Sequence, residues 1–330
     1  MARPIWQDTA NTLNNVPEDE LFRFQLNGST IYSGKAYVTP GKLVVDVYMN
    51  DICANYVKIN TPPWTFHNQV MDDANPISVV LQGYTGGAWT NVTTQAFRYD
   101  WSYDLNYVET PGGIAFPING RMCDGMQFTY SVYQQAAAYQ LDFYNGATFL
   151  MYLIPTSISG HAFPFSGTLI YDVDKILFTA PQTTRVIVQG TEYTIVQPCH
   201  RFAVYYVNEH GGWDFLLIEG NHKISDGVTR WNMDLFEDNS GGLRRQRVNY
   251  VNDIQRHYTL WTHPLTDDES SRMHHLLNSP NVWLLDMVEG RYLPVLLTNT
   301  ETPYKTFISE GRTMYVYEIN CDLAEYRERR

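Results

Sequence analysis

The chain has 330 residues, 44% of them hydrophobic and 18% charged, with 24 Tyr, 15 Phe and 8 Trp and a formal net charge of −12. This length and apolar content exclude a disordered chain and leave room for two domains, each with its own core. The acidic balance excludes a general nucleic-acid binder, and aromatic enrichment with few charges suits half-buried pleated surfaces and broad interfaces.

In chain order, "LFRFQL" and "STIYSG" flank Asn27-Gly28. This pair supplies the two positive φ angles of a type I′ hairpin turn. "KAYV" and "KLVVDVYM" flank a second turn at Thr39-Pro40-Gly41, and Asp51 opens one helical turn in "DICANYV". Residues 61–75 read as irregular, and "ISVVLQG" and "WTNVTTQAFRYDWSY" then turn at Gly86-Gly87. "RMCDGMQFTYSVYQ", "YQLDFY" and "TFLMYLI" complete a β-sandwich-like unit over residues 1–160. The Pro-, Gly- and Ser-rich stretch from Pro155 to Gly167 marks the expected boundary.

Residues 161–330 read as a second β-rich domain. "TLIYDVDKILF" alternates as a strand, "TRVIVQGTEYTIV" turns at Gln189-Gly190, and "HRFAVYYVN" pairs with "WDFLLIE". After the strand-like "RRQRVNYVNDIQRHYTLWT", the spacing predicts one helix over 266–278. Thr266 and Glu269 form a capping box, Met273, Leu276 and Leu277 share the face that docks on the sheet, and Asn278 and Pro280 end the helix. The closing strand "TMYVYEINCDL" puts Tyr315, Tyr317, Ile319, Cys321 and Leu323 on one face and Glu318, Asn320 and Asp322 on the other.

The series of strands, helix "LTDDESSRMHHLLNSPN", "VWLLDMV", "RYLPVLLT" and closing strand resembles the split β-barrel of the tail-tube and distal-tail family of long-tailed phages. It also resembles ring and hub proteins of phages infecting Bacteroidales, including crAss-like phages, as does "RFAVYYVNEHGGWDFLLIEG". The resemblance implies a non-enzymatic virion protein, made in the bacterial cytoplasm and built into the tail, tail hub or connector. In that family the barrels sit side by side in a ring whose inner β-wall surrounds a channel for DNA. The implied partners are copies of the chain, six or twelve to a ring, other tail or connector proteins, and DNA in passing. Subunit contacts are then expected from Met273, Leu276 and Leu277 of the helix and from Tyr315 and Tyr317 of the closing strand. Arg244, Arg245 and Arg247 of "RRQR" would meet a neighbour's carboxylates. Glu318 and Asp322 would face the lumen, where negative charge keeps DNA from sticking.

Catalytic and cofactor signatures are missing from the sequence. Cys53, Cys123, Cys199 and Cys321 have no metal-ligand spacing, and His161 has no nearby partner type. Cys199 and His200 would face opposite sides of a strand, and His274 and His275 point about 100° apart on a helix, so neither pair makes a site. No metal or cofactor is expected, and neither an apolar leader nor a membrane span is read. The alternative is a carbohydrate- or receptor-binding β-module at the host-facing tip, with Trp64, Trp89 or Trp101 as a stacking platform. Exposure of those indoles separates the two readings.

Overall fold

The computed structural model describes residues 3–4, 10–14, 21–35, 44–48, 50–53, 56, 60–64, 69–71, 77–85, 87–98, 114–115, 120–135, 140–154, 165–188, 190–197, 201–208, 212–239, 242–299, 304–309, 312–324 and 327–329. These residues are mainly β, as their composition dictates. The strands fall in several mostly antiparallel sheets, and the helices among these residues are few.

The first sheet contains the hairpin Leu21–Leu26/Ser29–Lys35, with Asn27 and Gly28 both at positive φ, and the hairpin Ile77–Thr85/Ala88–Arg98. A second orders Gly120–Met122, Thr191–Ile195, Arg185–Val188, Leu141–Asn145 and Thr148–Leu153. A third orders Gln69–Met71, Phe165–Asp172, Gln127–Gln135 and Ile114–Ala115. Both of these sheets combine strands from either side of residue 160, so the expected division there coincides with no gap between sheets.

Two elements depart from the sequence reading. Gln69–Met71 forms a strand inside the stretch expected to be irregular, because Phe165–Asp172 offers it an edge. "TLIYDVDKILF" leaves the strand at Asp172, and Val173–Thr179 is helical, burying Val173 and Ile176 at a helical three-residue spacing.

The C-terminal sheet runs in the order Trp213–Ile218, Phe202–Val207, Val282–Asp286, Arg291–Leu297, Arg312–Leu323, Gly242–Trp261, His222–Asn239. Its first two strands are buried at every position. Phe202, Val204, Tyr206, Leu216 and Ile218 face one core with Leu284 and Ile319, which the capped helix Asp267–Asn278 closes with Met273 and Leu276. Ala203, Tyr205, Val207, Trp213, Phe215 and Leu217 face the other core, shared with Phe24, Leu81, Phe128, Phe143 and Tyr193 of the N-terminal sheets. Polar bonds seal that layer: Trp213 Nε1 donates to the Asn60 carbonyl at 2.7 Å, and the Tyr205 hydroxyl to the Gln127 carbonyl at 2.6 Å.

Candidate functional site

The far end of this sheet is the candidate assembly surface. His222–Asn239 and Gly242–Trp261 form one long antiparallel hairpin, in register from His222↔Leu260 to Asn239↔Gly242 with a bulge after Trp231. At its base the second strand pairs with the closing strand, from His257↔Asp322 to Trp261↔Glu318, and a short strand continues that edge from Asn252↔Arg329 to Ile254↔Arg327. Beyond Asn252 the two hairpin strands pair only with each other among the described residues. The stretch from Asn232↔Asn249 to Asn239↔Gly242 is thus a two-stranded ribbon, roughly 25 Å long at the usual rise of a strand. The outer edge of His222–Asn239 also has no partner strand among the described residues. Ile224, Val228 and Trp231 are exposed on the hairpin, with Trp231 Nε1 donating to Asp253 at 3.2 Å.

"RRQR" lies on this ribbon, with Arg247 opposite Asp234, Arg245 opposite Phe236 and Arg244 opposite Glu237. The other expected interface residues are elsewhere. Met273 and Leu276 are fully buried in the chain's own core, and Tyr317 nearly so, with Leu277 and Tyr315 packed against the same cluster. Met273, Leu276 and Tyr317, expected at subunit contacts, are thus used in the chain's own core, where the helix docks on its sheet as its apolar spacing predicts.

Glu318, Asn320 and Asp322 alternate with buried Tyr317, Ile319 and Cys321, so they lie on the opposite, more open face of the closing strand. Asp322 there meets His257 Nδ1 at 2.5 Å, and Glu318 accepts from Asn320 Nδ2 at 3.1 Å.

A charged cluster joins the layers. Arg121 on the N-terminal sheet pairs with Glu219 at 2.5 Å, and His263 lies 3.4 Å from Glu219 and 4.0 Å from Glu269. Glu269 also accepts from the Thr266 amide at 2.9 Å, which completes the predicted capping box. Burial pushes the Glu269 carboxyl up, but bonds from His263 and Thr266 and the His263 charge outweigh it and bring the carboxyl down to about 2.

The thiols of Cys53 and Cys321 are raised to about 12 by burial, which keeps them protonated and poor nucleophiles. Among the described residues no group of three His, Cys, Asp or Glu side chains is arranged to hold a metal. No helix among them is long and apolar enough to cross a membrane. His161, Cys199, His200 and Trp101 lie outside the described residues. Trp64 is buried between Tyr205 and Trp213, which removes it from any platform, whereas Trp89 is half-buried.

Comparison with known proteins yields no matching family model and no matching curated protein. Among solved structures, the chain is similar to a protein described as the tail of an empty GTA particle computed with helical refinement in C6 symmetry. That alignment has 15% identity and a TM-score of 0.21, and covers 35% of this chain and 87% of the other. A second similarity, to the C2A and C2B domains of extended synaptotagmin 2, has 8% identity and a TM-score of 0.13 over 98% of this chain and 89% of the other. Neither score is high enough to assign a fold family.

The hairpin's first strand is the main element the sequence reading missed. "HKISDGVTRWNMDLFEDN" carries Gly227 and scattered charges in place of an apolar alternation. The available signal was the turn residues "NSGG" after it, followed by a long strand-like run.

Proposed function

We propose that the chain is a non-enzymatic structural subunit of a phage tail, hub or connector, which closes a ring around a channel for DNA. The observation that carries this reading is the ribbon. Among the described residues no third strand pairs with the ribbon; a two-stranded hairpin alone is marginal in water, and a long open edge strand invites pairing with another chain. A neighbouring subunit supplies such a partner. In a ring the contact is heterologous, so the hairpin of one copy meets a different surface of the next. "RRQR" rides on that hairpin and brings basic groups to a chain whose net charge is −12. This favours a carboxylate-bearing partner surface such as a second copy provides. The same acidity, with Glu318 and Asp322 on the open sheet face, fits a wall along which DNA slides without phosphate binding.

Mass photometry across a concentration series, with negative-stain images of the same samples, tests the proposal. Full-length protein is expected to form closed rings of six or twelve copies with an open centre. A variant whose residues 233–248 are replaced by Asn-Gly is expected to stay folded and monomeric. Rings that persist in the shortened variant would remove the hairpin from the contact. A full-length chain that remains monomeric alone and with its neighbouring tail proteins would overturn the ring.

A further inference from the structure

The outward face of the first sheet, a different sheet from the hairpin's, carries a polar and aromatic array. Phe22, Phe24, Val79 and Leu81 turn into the core, so the alternating positions Arg23, Gln82 and Tyr84 turn away from it. Asn91 stands opposite Gln82, and Trp89 opposite Tyr84. Arg23 Nε donates to Gln82 Oε1 at 2.7 Å, and Gln82 Nε2 donates to Asn91 Oδ1 at 2.6 Å. The Arg23 guanidinium lies 4.3 Å from the Trp89 ring centroid, and Tyr84 meets that indole edge-on at 5.1 Å.

Two features of this array point to a ligand. Arg121, Arg185, Arg201, Arg256 and Arg291 each pair with a carboxylate, but Arg23 has only an amide oxygen and a ring as partners among the described residues. Its Nη groups, the Asn91 amide nitrogen and the Tyr84 hydroxyl make no hydrogen bond there. The Gln82 bridge also fixes the array in advance, which lowers the entropy lost on binding. Two aromatic rings set edge to face beside oriented amide and guanidinium donors suit a sugar ring, with apolar C–H faces on the aromatics and hydroxyls at its rim. The uncompensated cation selects a carboxylate on that sugar.

We infer that the sheet face of Arg23, Gln82, Tyr84, Trp89 and Asn91 is a binding site for carboxylated saccharides, of the sialic or uronic acid type. The site is independent of ring closure and would act equally on a free subunit.

Saturation-transfer NMR and calorimetry with sialyllactose, trigalacturonic acid and lactose test this. At least one of the two acids is expected to bind, and which one does identifies the acid type. Lactose is expected to bind about tenfold more weakly, the scale of one charge-assisted pair. Arg23→Gln should abolish that preference and Tyr84→Ser should weaken all binding, both with unchanged melting temperatures. Lactose binding as tightly as the acids, no saccharide binding at millimolar concentration, or full acid binding by Arg23→Gln would each overturn the proposal.

Discussion

The two ends of the C-terminal sheet obey opposite rules. At one end Phe202–Val207 and Trp213–Ile218 are buried on both faces, helix-side core on one and N-terminal sheets on the other. At the other end, His222–Asn239 and Gly242–Trp261 extend past every third strand among the described residues and expose Ile224, Val228 and Trp231. One sheet therefore serves as an internal wall and as an external arm. A doubly covered strand draws its stability from within the subunit, whereas the arm, on the proposed function, takes its partners from a neighbouring copy.

The comparison breaks first at the covered end. Phe215 is fully buried and sits among Phe128, Tyr193 and Tyr205 at centroid distances of 6.2, 6.0 and 6.3 Å. Phe215→Ala should cost about 3–5 kcal/mol, read as a lower denaturant midpoint at an unchanged slope. A loss below about 1 kcal/mol would mean that the two layers are not welded through this ring.

The covered end was legible because its sequence says so: "FAVYYV" and "WDFLLI" are near-continuous apolar runs, the signature of strands buried on both faces. The capping box was legible because both partners lie in one local pattern, Thr266 and Glu269. The arm was half legible, since a two-stranded ribbon needs no apolar alternation and "HKISDGVTRWNMDLFEDN" has little. The helix Val173–Thr179 and the interleaving of sheets across residue 160 were not legible. Both depend on partners remote in the chain, such as Gln69–Met71 against Phe165–Asp172. Likewise Arg23, Gln82 and Asn91 become a set only once three strands align.

A smaller effect comes from the helix that closes the covered end. Because the Glu269 carboxyl sits at about 2 in the folded chain, below its ordinary 4.5, the ionised form is favoured by folding. The stabilisation is therefore present above pH 4.5 and fades as pH falls through about 2. It amounts to about 3 kcal/mol at most. Urea midpoints between pH 6 and pH 2 should fall less steeply in Glu269→Gln than in the parent, and parallel profiles would dissociate the carboxylate from the fold. Thr266→Ala, which removes the hydroxyl that caps the Glu269 amide, should cost about 1 kcal/mol at neutral pH.

The smallest effect on the monomer should come from the arm, and there the comparison sharpens. Trp231 is 52% exposed and holds one bond to Asp253, so Trp231→Ala removes little that the isolated subunit uses. Its cost to folding should stay within about 0.5 kcal/mol. In an assembled ring the same indole would be covered, and exposed aromatics that become buried are the residues that dominate interfaces. The variant should thus keep the parent's melting temperature as a monomer and still lose ring formation in mass photometry. If the melting temperature falls and assembly survives, the arm is an internal wall like the other end, and the division of the sheet into wall and arm does not hold.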